Sequence, residues 1–350
     1  MTTSITSSNF PSPQRPWKKT KRHFASSSGL VVISGAIAYI INLSTGLAGV
    51  LGWYIGLVFA LPIITFVTSL RRGRNDAVDR LAASIVTVAF AAVLIPWASI
   101  ISTVISRGSK AIYSGYFTTD MLVTSSDDAL NTGGVLHAIV GTTLVVLIAS
   151  VIAVPLGIIA AVYIVEVKGR FASLVRFLTQ AMSGVPSIVA GLFIYATIVI
   201  FFGSFSAWAG AASLAILMLP TVARTSEEVL KLVSDDLRAS SYALGATQAR
   251  TTFRVVLPTI ISGLVTAAVL GVARVAGETA PLILTASYFV KTSTDLNQPI
   301  ATLPIYIFSN LGIGTDNSYA RAWGGSLVLL SLVFFLFLFA RIISSRLRRK

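Results

Sequence analysis

Between residues 136 and 165 the chain contains no Asp, Glu, Lys or Arg, and this stretch restricts the possible fold more than any other feature. A bilayer core is about 30 Å thick and takes about 20 apolar residues of helix to cross. No water is available inside it, so every backbone polar group must be satisfied within the spanning segment. Comparable runs can be read at 29–43, 49–70, 81–105, 185–203, 207–222, 258–283 and 324–343, which makes eight candidate spans. The other spanning solution, a β-barrel, is built from short strands that alternate apolar and polar residues. These runs are continuous and rich in Leu, Ile, Ala and Gly, so an all-α polytopic bundle is expected.

Charge content and placement agree with a membrane protein. Charged residues make up 11% of the sequence and hydrophobic ones 55%, whereas a soluble domain carries roughly 25% charged residues. A net charge of +14 could suit nucleic acid, but the 27 Lys and Arg residues fall almost entirely in the gaps between apolar runs. With a cytoplasmic N-terminus, all of them except Arg107, Lys110, Lys291, Arg321 and the intramembrane Arg274 lie on the inner side. The positive-inside rule favours that orientation, with both termini in the cytoplasm.

The chain is thereby divided into a basic cytoplasmic tail at 1–28, a transmembrane hairpin at 29–70, a transmembrane domain at 81–343 and a second basic tail at 344–350. The first run is short, and its basic flank resembles a signal peptide, but no small-x-small cleavage site follows it. Two outer segments are too long to be simple connections. Residues 106–135 are rich in Ser, Thr, Asp and Gly and read as a cap on the outer mouth. Segment 285–322 holds an apolar stretch, 298–308, that is bounded by prolines and too short to cross, which predicts an interfacial or re-entrant helix.

In the cytoplasmic segment 224–258, Glu227, Glu228, Lys231, Asp235, Asp236 and Arg238 alternate with Val229, Leu230, Leu232, Val233 and Leu237. This predicts a short amphipathic helix below the membrane. A small-residue helix or turn follows at 240–246, and Pro258 opens the next span at a position that tolerates a missing N–H. The residues alone allow a knob for a partner's groove or a solvated loop. The spacing is more specific: Gly245, nine residues, Val255, then Leu257-Pro258. It resembles the coupling motif of ABC importer permeases, which runs Glu-Ala-Ala, three residues, Gly, nine residues, Ile-x-Leu-Pro. Ala239-Ser240-Ser241 stand where Glu-Ala-Ala is usual. The absent glutamate removes one expected salt bridge to the ATPase but not the helix, since Ala is the better helix former.

A second string, Ala273-Arg274-Val275-Ala276-Gly277-Glu278-Thr279-Ala280-Pro281-Leu282, resembles the signature of phosphate-specific permeases of the PstA type. Ser187 to Phe193 after Pro186, and Gln298-Pro299-Ile300-Ala301 with Leu303-Pro304, resemble that family too. The resemblance runs from about residue 81 to the C-terminus. It implies a type I ABC importer permease bundle with a six-helix core, to which the hairpin at 29–70 is an addition. It also implies a permease subunit forming half of the path of an ATP-driven phosphate importer. The partners implied are a sister PstC-type permease, two copies of a PstB-type ATPase and an external PstS-type phosphate-binding protein. Arg238, Ala239, Ser240, Ser241, Gly245, Leu257 and Pro258 are then the residues expected to couple to the ATPase.

For the path itself the candidates are Arg274, Glu278 and Arg224. A charge near the bilayer centre costs about 2.5–3.5 kcal/mol, and such residues face a bundle interior, a partner or water. Their spacing of four puts Arg274 and Glu278 on one helix face. They either close the bundle as an ion pair, or Arg274 offers its planar fork to phosphate while Glu278 limits how tightly the anion is held. Arg224, at the end of the sixth run, is an ordinary basic flank or an exit-side anion contact. Gly184, Pro186, Gly277 and Pro281 are candidate helix breaks or gates, since a break tolerated in lipid lines a cavity. Gly184 and Gly191 equally suit close helix packing.

The sequence contains no nucleophile elbow, His pair or phosphate-binding loop, and without cysteine it has no thiolate ligand. His23 and His137 are too far apart in sequence to predict a metal site. The expectation is therefore no metal or cofactor on this chain, with ATP and Mg used by the partner ATPase, and no nucleic acid. Three other readings stay open: a permease for another oxyanion, an ion-coupled transporter or anion channel working alone, and a scaffold that signals phosphate status. A lone transporter would not need the coupling segment, and a scaffold would tolerate loss of Arg274.

Overall fold

The computed structural model describes residues 21–45, 50–71 and 73–347, and every regular element among them is helical. Most of the basic tail at 1–28, together with Arg72 and the last three residues of the tail at 344–350, lies outside the described residues.

The chain divides after Ile101 into two units. In the first, α1 (Lys21–Thr45) and α2 (Val50–Leu70) pack as a hairpin, with Gly56 against Ala38 and the Trp53 indole N–H donating to Gly35 O at 3.0 Å. Helix α3 (Arg74–Gly108) follows and runs on into the second unit.

The second unit contains α4 (Leu136–Val167, its last turn π-helical), α5 (Ala172–Ser183), α6 (Ser187–Phe202), α7 (Ala207–Lys231) and α8 (Asp235–Ala243). After these come α9 (Gln248–Thr259), α10 (Ile261–Ala276), α11 (Ala280–Thr285), α12 (Leu303–Ile313) and α13 (Asp316–Leu347). Helix α7 is the buried centre. Its Leu214, Met218 and Val222 pack into Val145, Ala149 and Ala153 of α4, with Val275 and Ala276 of α10 in the same core. Small side chains on α4 allow the close approach that replaces hydrophobic driving force between helices in lipid.

Among the described residues, five helices are long and apolar enough to cross a membrane, and up to seven if α5 with α6 (bent 104°) and α9 with α10 (bent 72°) each count as one span. These seven correspond to seven of the eight predicted runs. The first run lies in α1, whose described apolar part extends only over Val31–Ile40.

Three boundaries differ from the sequence expectation. The sixth run does not stop near Arg224, because Val222, Ala223, Ser226, Glu227 and Leu230 keep a helical period of buried positions and carry α7 on to Lys231. The amphipathic stretch read as one helix is thus split between the last turns of α7 and α8. The run at 258–283 is not one helix either: α10 ends at Ala276, and α11 restarts with Pro281 in its first turn. A proline inside a helix clashes with the carbonyl four residues earlier, here that of Gly277. The short helix expected at 298–308 forms at Leu303–Ile313.

At the end of the bundle away from α8, the two long segments join into a cap. The Met121 N–H donates to Val290 O at 3.1 Å, and the Asp120 carboxylate accepts from the N–H groups of Thr292 (2.9 Å) and Leu122 (3.2 Å). Burial raises the pKa of Asp120, but these hydrogen bonds outweigh it and hold the carboxyl below its ordinary value. Arg321, 1% exposed, locks the cap from α13. It donates to the main-chain oxygens of Thr132 (3.0 Å), Asp128 (3.1 Å) and Ala129 (2.9 Å). Arg321→Leu strands these carbonyls and should cost about 3 kcal/mol, seen as a lower melting temperature in detergent and faster proteolysis within 107–135. Unchanged melting and proteolysis would show that other contacts hold the cap.

Candidate functional site

At the opposite end, the ends of α4, α7 and α8 converge. Asp235 and Asp236 occupy the first turn of α8, where the helix dipole favours negative charge. The helix closes at Gly245, whose N–H donates to Tyr242 O (2.9 Å), while the Ala246 N–H donates to Ser241 O (3.2 Å). This pair of bonds is the Schellman closure. It places Gly245 at φ +79°, a left-handed conformation that glycine adopts without strain. The fixed glycine of the coupling motif therefore has a backbone reason.

The residues named for coupling fall into two sets. Ala239, Ser240, Gly245 and Pro258 are exposed, as are Leu244 at 89% and Leu232 at 83%. The others turn inward. Ser241 is buried, with its hydroxyl 2.8 Å from that of Thr251. Leu257 packs into the cluster of Ala161, Leu230, Val233, Val256, Ile260 and Leu264. Arg238 pairs with the buried Glu166 at the end of α4, Nη2 to Oε1 2.6 Å. Sequence reasoning missed Glu166. The available signal was a lone carboxylate closing an apolar run on the basic side of the membrane.

Midway along the bundle, Arg274 lies in the last turn of α10 and donates from Nη1 to the Thr221 hydroxyl of α7 at 2.8 Å. Arg224 follows Thr221 at the i+3 position, so the two share a face of α7. Both arginines are exposed on this chain. Glu278 is not part of the same helix: it lies in the break after α10, its N–H bonded to Val275 O at 3.1 Å. The shared helix face expected for Arg274 and Glu278 is therefore absent, and no ion pair joins them among the described residues.

Towards α8, a cavity of about 450 Å³ between α5 and α7 is lined by Arg176, Gln180, Arg224 and Glu227 among others. Arg176 Nε donates to Glu227 Oε1 at 2.9 Å, which ties α5 to α7. Gly184 and Pro186 form the 104° bend, Pro186 capping α6. A Cβ on Gly184 would meet nothing nearer than Ala181 O at 3.5 Å, whereas one on Gly191 would lie 2.6 Å from the Pro281 Cα. Gly191 is thus the packing glycine. Through it α6, after its bend, rests on the proline that starts α11. Gly277 has open space around it.

Comparisons with known proteins agree with this architecture. The family model described as "Binding-protein-dependent transport system inner membrane component" matches residues 153–349. The phosphate transport system permease protein PstA of Yersinia pestis is 42% identical over 216 residues, covering 61% of this chain and 73% of that protein. PstA 1 of Mycobacterium tuberculosis is 37% identical over 276 residues, covering 78% of this chain and 89% of that one. PstA of Pasteurella multocida is 36% identical over 246 residues, or 69% and 86%. In fold, the chain is similar to an inward-facing structure of the MetNI methionine ABC transporter, with TM-score 0.50 and 20% identity over 61% of this chain and 94% of that chain. The chain is a multi-pass membrane protein and belongs to the binding-protein-dependent transport system inner membrane component family, among its PstA-type phosphate permeases.

Proposed function

We propose that this chain forms half of the translocation path of an ATP-driven phosphate importer. It pairs with a PstC-type sister permease, is driven by two copies of a PstB-type ATPase, and receives phosphate from an external PstS-type binding protein. ATP and Mg belong to the ATPase, and this chain binds neither.

The observation that carries the reading is Arg274. Its described partner is a hydroxyl rather than a carboxylate, so it keeps charge and donors for a phosphate oxygen. Arg224, nearer α8 on the same face as Thr221, is the next anion contact along the path. The breaks at Gly184–Pro186 and at Gly277, with the restart at Pro281, let the lining helices move in segments. Leu244, 89% exposed at the end of α8, is the apolar side chain that this helix offers to the ATPase.

In this reading α8 and both termini face the cytoplasm and the cap faces out. The chain has no cysteine of its own, so probes can be introduced singly. A cysteine at Gly73 is expected to react with a membrane-impermeant thiol reagent only after the cells are opened, and one at Ser126 in intact cells. Labelling of both from outside would refute the orientation. Affinity purification of the tagged chain is expected to recover an ATPase and a second permease. Recovery of the chain alone, with phosphate uptake that survives ATP depletion, would favour an ion-coupled transporter instead.

A further inference from the structure

Arg238 lies beside the docking surface but points away from it. Nε lies 3.2 Å from both oxygens of Glu166, and Nη2 lies 2.6 Å from Oε1. The same guanidinium donates to the main-chain oxygens of Val233 (2.7 Å) and Leu230 (3.1 Å). Leu230 lies in the last turn of α7, where its oxygen also accepts the Val233 N–H at 3.3 Å, and Val233 lies just past the helix end. One side chain of α8 therefore holds the end of α7 and the end of α4 together. Glu166 comes from the π-helical turn Tyr163–Val167, a widened turn of the kind that re-aims a side chain. Its carboxylate is 2% exposed and the Arg238 side chain 15%. Gln248 closes the arrangement from α9, its Nε2 donating to Glu166 O at 2.6 Å.

We propose that Glu166 and Arg238 form a pin that stays closed through the transport cycle. They are positioning residues: they make α4, α7 and α8 move as one body when a partner displaces α8. This rests on the reading of α8 as the docking helix. The consequence for transport follows from α7, which carries Thr221 and Arg224. Lys231, its last residue, is ten residues beyond Thr221, about 15 Å of helix. A push on α8 that reaches α7 rigidly therefore reaches the groups around Arg274. Without the pin, α8 could shift against α4 and α7, and ATP hydrolysis would be spent on that slippage.

A buried pair that serves only architecture can be replaced by apolar residues of similar volume with little effect, and this separates the two roles. In the complete complex in lipid vesicles, Glu166→Leu with Arg238→Met is expected to assemble but to raise the ATP hydrolysed per phosphate imported roughly tenfold, within the usual range of coupling between sites. Glu166→Gln, which keeps shape and hydrogen bonding, should raise the ratio less. With Glu166→Cys and Arg238→Cys, the reduced protein should be poorly coupled, and a bifunctional thiol reagent spanning the two side chains should restore the wild-type ratio. An unchanged ratio in the apolar and cysteine variants would reduce the pair to architecture. A cross-linked complex that hydrolyses ATP without uptake would show that the pair must open. A wild-type complex without ATP-dependent phosphate uptake would sink the proposed function itself, whereas failure of the variants alone leaves that function standing.

Discussion

Replacing Arg274 by Gln should lower phosphate uptake by the assembled complex roughly 10- to 100-fold, the worth of one hydrogen bond to a charged group. The amount of chain in the membrane should stay the same. Arg274 is exposed on this chain and gives up one bond to Thr221, so the variant leaves no buried charge behind. Lys at 274 keeps the charge without the planar fork and should be intermediate. Glu278 supplies the contrast. A structural pair would make either single substitution damaging, because each would strand a charge. No ion pair joins the two residues among the described ones, so Glu278→Gln should leave assembly intact and change uptake far less than Arg274→Gln. Equal loss in both variants, with poor assembly, would return Arg274 to bundle architecture.

The second large effect is expected at the tip of α8. Gly245→Val forces a β-branched residue to φ +79°, costing about 1–2 kcal/mol locally and opening the closure onto Tyr242 and Ser241. Leu244→Asp leaves the backbone alone and puts a charge where 89% of an apolar side chain is exposed. If Leu244 anchors α8 in the ATPase, Leu244→Asp should weaken that association by about 2 kcal/mol or more, roughly 30-fold. Membrane insertion should be normal and ATP-driven uptake lost. Pull-down of the ATPase against salt-washed membranes measures this, and normal recovery with normal uptake would exclude α8 as the docking element.

Much of this architecture was legible because the forces that set it are local. The apolar runs announce spans, since backbone groups in lipid have no other solution than a helix. Gly245 announces the end of α8, since its closure needs a left-handed residue. What stayed hidden depends on long-range pairing or on competition between signals. Glu166 meets Arg238 across 72 positions of sequence, and nothing local points either side chain at the other. The motif resemblance places Arg238 and Ser241 in the segment expected to couple to the ATPase, but spacing along a helix does not show which of its faces a neighbouring helix end covers. The shared face of Arg274 and Glu278 was read from a spacing of four. Pro281 held the contrary signal: a helix cannot pass from 277 to 281 through a proline unharmed. Arg321 was counted as an outer charge, yet main-chain carbonyls of the cap bury it completely. Sequence pattern carries no trace of backbone acceptors.

The most direct test is accumulation of radiolabelled phosphate in vesicles that hold the purified complex, with the binding protein on the cap side and ATP on the α8 side. Uptake is expected to require ATP and to collapse in Arg274→Gln, although the variant complex contains the full set of subunits. Equal accumulation by the wild-type and Arg274→Gln complexes would contradict an anion path through Arg274.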